Sequence, residues 1–114
     1  MKRSCTLMEK YILLIKNGQK KIEARVAIEM FAKWREGDVV DFFSRRNPSI
    51  RVLTEITTVK KYKTFREMLE IESPTKLIPG INDVSVAENE YLKIPNYAER
   101  ERLGVLAFHL KVIG

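Results

Sequence analysis

The sequence predicts an α+β domain in which a mixed sheet curls into a small barrel flanked by about three short helices. At least four segments carry the apolar, β-branched pattern of strands, and they occur both early and late in the chain. The helical segments are short and do not alternate regularly with the strands. Because no glycine-rich phosphate loop occurs either, a doubly wound parallel sheet is disfavoured.

Length and composition limit the functional classes. We expect residues 1–114 to form a single domain, since 45% apolar and 32% charged residues are typical of a globular chain. No apolar run reaches the roughly 20 residues that cross a bilayer, and we expect no secretion signal. The lone Cys5 and the lone His109 predict no disulfide, no metal site and no cofactor, and they fit a reducing cytoplasm.

Charge is unevenly distributed along the chain. Residues 1–66 carry 16 Lys and Arg against 7 Asp and Glu, whereas residues 67–114 carry 5 against 8. A domain with one face for a polyanion such as RNA shows this asymmetry. A solvated charged surface in a heat-adapted protein would show it as well, so the charge alone leaves both interpretations open.

The first predicted helix covers about residues 7–17. Thr6 and Glu9 have the spacing of a capping box, apolar residues then recur at helical intervals, and Gly18 is suited to the left-handed position that ends a helix. From residue 21 the period changes to two, which predicts a strand with one buried and one charged side. The apolar side contains Ile22, Ala24 and Val26, and the charged side contains Lys21, Glu23 and Arg25.

The middle of the chain predicts two further strands. Residues 27–36 suggest a short helical turn, and residues 39–43 read as a strand covered on both faces. Residues 45–49 have the composition of a loop. Residues 50–61 form a long β-branched run whose alternation slips in phase, which predicts a bulge near residues 57–58.

Two more capping boxes and a strand complete the chain. Residues 64–67 open a short helix that ends before Pro74, and residues 85–88 open a helix that Pro95 ends. Ala87 and Tyr91 are predicted to face inward from the latter helix. Residues 104–112 read as the last strand. Its predicted core face contains Leu106, Phe108, Leu110 and Val112.

Residues 18–25 contain the pattern Gly-x-Lys-x-x-Glu-x-Arg, which resembles the GxKxxExR signature of the ASCH domain family, within the PUA-like superfamily. Three other segments are similar to those of the family in order and spacing. They are the Trp-x-x-Gly-Asp of residues 34–38, the strand end and helix of residues 59–69, and the closing strand of residues 104–110. The resemblance spans nearly the whole chain.

The resemblance implies a small β-barrel with a cleft that binds RNA or a nucleobase-like ligand. Family members differ: some resemble RNA-binding modules, some cleave RNA, and one branch deacetylates acetylated cytidine. In that branch a threonine nucleophile occupies the position of Glu23, whereas its lysine corresponds to Lys20. The threonine mechanism therefore does not carry over directly to this chain.

The motif supplies three candidate ligand-binding residues. Lys20 can serve as a cation for a phosphate or carbonyl, or as a base if Lys21 and Arg25 favour its neutral form. Glu23 can accept from a base amine or activate a water, while Arg25 holds an anion or a carbonyl oxygen. The alternatives are an ordinary surface lysine at position 20 and, for Glu23 and Arg25, a cross-strand ion pair that lines the barrel mouth.

A basic loop adds three more candidates. Arg45, Arg46 and Arg51 can grip a phosphate backbone, or they can simply decorate a flexible loop. Trp34 and Tyr62 can stack on a base, although a tryptophan just before a turn is more often a buried plug. The candidate ligand-binding set is therefore Lys20, Lys21, Glu23, Arg25, Arg45, Arg46 and Arg51.

Three functions remain open on the sequence alone. The leading hypothesis is a module that binds RNA or a nucleotide-like small molecule. The alternative is a hydrolase of a modified nucleoside or of single-stranded RNA, in which Lys20 and Glu23 are the catalytic pair. A third possibility is a ribonucleoprotein component that binds no small ligand.

Overall fold

The computed structural model describes all 114 residues and contains a five-stranded mixed sheet in the order β1-β3-β4-β5-β2. Its strands are β1 (Lys2–Thr6), β2 (Ile22–Val26), β3 (Val39–Phe43), β4 (Arg51–Tyr62) and β5 (Val105–Val112). Strands β1 and β3 are parallel, and the other three pairings are antiparallel. The predicted α+β class, with a mixed sheet curved into a half-barrel, is confirmed.

The helices are more numerous than predicted because several consist of a single turn. The three longest are α1 (Glu9–Lys16), α3 (Phe65–Glu72) and α5 (Val84–Leu92). The short ones are α2 (Glu29–Ala32), α4 (Pro74–Leu77) and α6 (Tyr97–Arg100), and a 3₁₀ turn follows at Glu101–Leu103. No helix has both the length and the apolar character required to span a bilayer.

Strand β1 was not predicted, and its presence changes how α1 begins. Thr6 is the last residue of β1, so the predicted capping box at Thr6 is wrong. Helix α1 starts after Met8 without a side-chain cap, and the carboxylate of Glu9 instead accepts a hydrogen bond from Ser44 at 3.2 Å. The sequence of β1 is mostly polar and lacks the apolar alternation that identifies a strand. Its strand conformation depends instead on pairing with β3.

The other predicted helix starts have mixed outcomes. The Thr64 hydroxyl accepts from the Glu67 amide at 3.1 Å, which confirms that cap. The cap predicted at Ser85 is wrong: Asp83 accepts from the Val86 amide at 3.0 Å, so α5 begins earlier than predicted. The side chain of Asp83, like that of serine, can accept a hydrogen bond at the start of a helix, and it lies two residues before Ser85.

The predicted bulge in the long strand is confirmed. The register between β4 and β5 shifts between Ile56 and Thr58. The last strand, however, differs from its predicted single core face. Residues 105–108 are buried on both sides, whereas Val112 is 41% exposed. Because both faces of the sheet are covered at β5, its alternate residues enter two different cores.

Two apolar clusters cover the two faces of the sheet. The first joins β2, β5 and helices α3 to α5, and it contains Val105 and Ala107. The second joins β3, β4 and α1, and it contains Leu106, Phe108 and Trp34. Helices thus pack on both faces: α3, α4 and α5 contribute to the first cluster, and α1 and α2 contribute to the second.

The two aromatic residues considered for base stacking are buried. Trp34 is 2% exposed, and its ring centroid lies 5.0 Å from those of Phe31 and Phe108. The Tyr62 hydroxyl donates to Glu72 at 2.5 Å inside the protein. This burial argues against the stacking role considered for both residues, and for Trp34 it agrees with the alternative of a buried plug.

Replacement of Trp34 by alanine should lower the free energy of unfolding by about 3–5 kcal/mol, since it leaves a cavity among packed rings. Urea unfolding followed by circular dichroism measures this. Met30→Ala in the adjacent helix α2 is the matched control, because Met30 is 50% exposed and its replacement should cost little. A loss below about 1 kcal/mol for Trp34→Ala would contradict the packing described here.

Candidate functional site

A cavity of about 890 Å³ opens beside β2, between the start of α1 and the end of α5. This volume is typical of small-molecule sites, which range over about 300–1,000 Å³. Tyr11, Tyr91 and Tyr97 contribute to its aromatic wall, and Lys20, Glu23 and Arg25 contribute its charged floor. The three motif side chains therefore share one hollow.

The turn after α1 places Lys20 at the floor. Gly18 has a φ of 83°, and the amides of Gln19 and Lys20 both donate to the Leu14 carbonyl, at 3.0 and 2.9 Å. This closure reverses the chain before β2 starts at Ile22. Lys20 consequently lies outside the strict alternation of the strand and points inward, where it is only 4% exposed.

The Lys20 ammonium has an acceptor for each of its three donors. Nζ donates to the carbonyl oxygens of Ile22 at 2.8 Å and Leu77 at 2.6 Å, and it lies 3.2 Å from Oε1 of Glu23. The bond to Leu77 ties α4 to the start of β2. A saturated ammonium holds neighbouring groups in place, and it has no lone pair to act as a base.

Glu23 is the centre of a buried charged triad. Its Oε1 faces Lys20, and its Oε2 accepts from Nε of Arg25 at 2.7 Å. The Arg25 guanidinium lies 5.1 Å from the centroid of the Phe31 ring, and its Nη2 contacts the Thr6 carbonyl at 3.4 Å. The charged side of β2 is largely shielded from solvent at this position, since Glu23 is only 6% exposed.

The electrostatics of the triad keep Glu23 ionised. Burial alone would raise the pKa of Glu23, but the charges of Arg25 and Lys20 outweigh it and lower that pKa. Burial lowers the pKa of Lys20, and Glu23 offsets part of this effect. Burial also opposes the charge on Arg25, yet Glu23 raises the pKa of the guanidinium above its usual range.

Tyr91 is a functional candidate that the sequence assigned only to the core. It is 7% exposed and borders the cavity, and its hydroxyl has no hydrogen-bond partner in the protein. Burial and then the Glu23 charge raise its pKa well above the usual value, so the phenol stays protonated. An unpaired buried hydroxyl costs about 1–3 kcal/mol, which a ligand acceptor would recover.

Five of the seven residues expected to bind a ligand line this cavity. They are Lys20, Glu23, Arg25, Arg45 and Arg46. The last two are exposed at the rim. Lys21 points outward and Arg51 forms a two-contact ion pair with Asp41 away from the cavity, so the structure does not bring these two to the site.

The tyrosine wall was missed because single-residue patterns do not reveal it. Tyr11 and Tyr91 occur at helical apolar positions, which indicates only that they face inward. Tyr97 follows Pro95 in a segment with no periodic pattern. Their convergence depends on α1 and α5 meeting across β2, which is a long-range property of the fold.

Glu23→Gln should reduce the loss of unfolding free energy as the pH is lowered. The folded pKa of Glu23 lies below its unfolded value of about 4.3, so the ionised carboxylate stabilises the fold above that pH, and this stabilisation is lost as pH falls toward the folded pKa. Urea unfolding at a series of pH values from 6 down to about 2.5 measures the effect. The wild type should lose more stability across this window than the variant.

The control is Glu36→Gln, since Glu36 is exposed and forms no ion pair. All three proteins should also lose stability through Asp38 and Glu72 as the pH falls. Burial would raise the pKa values of these two carboxyls, but their hydrogen bonds outweigh it and lower them. Parallel acid limbs for the wild type and Glu23→Gln would show that the triad does not hold Glu23 ionised.

Comparisons with known proteins agree with this fold. The ASCH domain family profile matches residues 6–113. No functionally curated protein matches the chain. The crystal structure of hypothetical protein PH0355 is 29% identical, covers 99% of this chain and 100% of its own, and superposes with a TM-score of 0.87. Protein PF0455 from Pyrococcus furiosus, solved by NMR, is 26% identical over 99% of this chain and 98% of its own, with a TM-score of 0.79.

A third structure shares the fold at lower identity. The ASCH domain from Lactobacillus crispatus is 14% identical over 97% of this chain and 79% of its own, with a TM-score of 0.71. The family profile covers the motif, the cavity and all strands except most of β1. The chain therefore belongs to the ASCH domain family.

Proposed function

We propose that this ASCH domain binds single-stranded RNA or a nucleotide by taking one base into the cavity beside β2. The observation that carries the proposal is the composition of that cavity. A fixed triad of charges, a tyrosine wall and two rim arginines meet around one hollow of about 890 Å³. A hollow of this size suits a small planar ligand. It argues against the alternative in which the domain is a ribonucleoprotein component that binds no small ligand.

The inner part of the cavity suits the edge of a nucleobase. Each oxygen of Glu23 retains accepting capacity for an exocyclic amine, and Nη1 of Arg25 makes no hydrogen bond within the chain. The Tyr91 hydroxyl offers a donor to a ring nitrogen or carbonyl. The aromatic wall supplies apolar surface against which a base can pack.

The rim suits a phosphate. Arg45 and Arg46 are exposed and belong to none of the chain's ion pairs, so their guanidinium groups remain available. Guanidinium forks match phosphate oxygens in geometry. The excess of positive charge in residues 1–66 adds a long-range attraction for a polyanion.

Substitutions at the rim and in the inner cavity should act differently on RNA binding. The double variant Arg45→Ala and Arg46→Ala should weaken binding to all sequences alike and reduce the salt slope, log Kd against log salt, by about 1.4, at roughly 0.7 per phosphate of a single strand. Tyr91→Phe should weaken binding about 3- to 10-fold without changing the slope, because it removes one uncharged hydrogen bond. Fluorescence anisotropy with a labelled single-stranded RNA, between about 50 and 200 mM salt, measures both.

Lys2→Ala with Lys16→Ala removes the same charge from exposed positions outside the cavity and serves as the matched control. Tyr91→Phe should leave the stability of the free protein unchanged or raise it, since the hydroxyl has no partner to lose. Equal losses in the rim variant and its control would mean that binding reflects net charge and not this cavity.

A hydrolase that uses the same cavity is the second candidate function. The favouring observation is the ionised Glu23 carboxylate at the cavity floor, where it can orient or deprotonate a water. Two facts make it the weaker candidate. A lowered pKa reduces the basicity of Glu23, and the saturated Lys20 ammonium has no lone pair for general-base catalysis.

We expect no turnover of N4-acetylcytidine or of single-stranded RNA above the rate in buffer. Chromatography of the products after incubation with wild type, Lys20→Ala and Glu23→Gln tests this. Wild-type turnover that Glu23→Gln lowers by about 10²-fold or more would establish the hydrolase instead. Turnover that neither substitution changes would exclude this pair from the chemistry.

A further inference from the structure

We propose that a second, basic groove binds phosphates of the same RNA strand whose base occupies the cavity; this inference rests on the proposed function. The groove, here called the distal groove, lies at the end of β4 and encloses about 610 Å³. Its cations are Lys61, Lys63 and Arg102, and Glu67 is its one acidic residue. Its remaining lining residues are Tyr62, Leu103 and Gly104.

The three cations of the distal groove are free to meet an anion. All three are exposed, and none forms an ion pair. Some other cations of the chain are paired with a nearby acid, as Arg3 is with Asp38. Three unpaired cations against one carboxylate leave a net positive groove, which attracts phosphodiesters.

Backbone geometry brings Lys61 across the groove. Gly104 has a φ of 100°, and a Cβ built on it would lie only 2.6 Å from Cε of Lys61. The absence of a side chain at Gly104 therefore lets the Lys61 stem pack against the backbone. This contact places the ammonium of Lys61 beside the start of β5.

One short segment connects the distal groove to the cavity. Tyr97, in α6, lines the cavity, and Arg102, in the 3₁₀ turn, lines the distal groove. Five residues at a rise of 1.5–2.0 Å span at most about 10 Å, the length of about three stacked nucleotides at 3.4 Å each. Exposed Arg100 lies between them on the same segment.

This proximity favours RNA over an acidic peptide as the occupant of the distal groove. Both would present anions to the three cations. Only a nucleic acid strand also carries a base for the tyrosine-lined cavity nearby, and the second contact then forms at high effective concentration. The carboxylate of Glu101 accepts a hydrogen bond from the Phe65 amide at 2.9 Å. This bond holds the carboxylate at the start of α3.

The test is the dependence of affinity on RNA length. Isothermal titration calorimetry first identifies the tightest of the four ribonucleoside 5′-monophosphates, and then measures its homopolymers of two to six nucleotides at about 50 mM salt. Wild-type affinity should rise at least about 10-fold between one and about four nucleotides. The triple variant Lys61→Ala, Lys63→Ala and Arg102→Ala should abolish this gain and leave mononucleotide affinity unchanged.

The matched control is the triple variant Lys2→Ala, Lys16→Ala and Lys111→Ala, which removes the same charge from exposed positions outside both sites. It should retain the gain with length. Oligonucleotides with uncharged methylphosphonate linkages should show no gain in the wild type, which identifies the phosphates as the contacted groups.

Several outcomes would overturn the inference. Mononucleotide binding without a gain in length, or a gain that survives the distal-groove variant, rejects the distal groove alone and leaves the proposed function intact. Equal loss in the matched control assigns the gain to net charge. Binding of oligoglutamate that only the distal-groove variant loses, with RNA unaffected, makes the groove a peptide site. Failure of every nucleotide and oligonucleotide to bind the wild type rejects the proposed function and this inference together.

Discussion

The burial of three charges at one point constrains the rest of this domain. Removal of Lys20, Glu23 and Arg25 from water costs several kcal/mol per ion, and only close pairing recovers it. The chain must therefore hold the carboxylate between the two cations to within hydrogen-bonding distance. The glycine turn after α1, the register of β2 and the carbonyl of Leu77 together satisfy that requirement.

The same constraint gives the cavity two parts with different mechanical properties. Its floor is fixed, since each donor of the Lys20 ammonium and each oxygen of Glu23 already has a partner. Its rim is adaptable, because Arg45 and Arg46 lie exposed on a loop. A fixed floor reduces the ordering cost of binding, while an adaptable rim accommodates different backbones. The unpaired hydroxyl of Tyr91 adds a group whose hydrogen bond only a ligand completes.

Local patterns predicted the elements that have a clear signal in their own sequence. The β-branched run and its phase slip located β4 with its bulge, and Thr64 predicted the start of α3. The same reasoning missed β1, because five mostly polar residues form a strand only when β3 lies beside them. It also placed Glu23 on the charged side of β2 without indicating that this side chain is buried. Alternation shows which residues share a face, whereas the burial of that face depends on distant helices.

The candidate site followed the same division. The motif predicted that Lys20, Glu23 and Arg25 share one site, because they are neighbours in sequence. Of the three arginines predicted to join them, Arg45 and Arg46 line the cavity, whereas Arg51 is paired with Asp41. The tyrosine wall and the distal groove come from segments far apart in the chain, and one sequence contains no signal for such long-range proximity.

The strand order has a consequence for biosynthesis. Strand β2 pairs only with β5, and Ile22 meets His109 more than eighty residues later in the chain. A ribosome therefore releases the motif residues long before their sheet partner exists, and contacts so distant in sequence form slowly. The motif residues therefore stay hydrated during translation. The cavity forms last, when β5 pairs with β4 and β2.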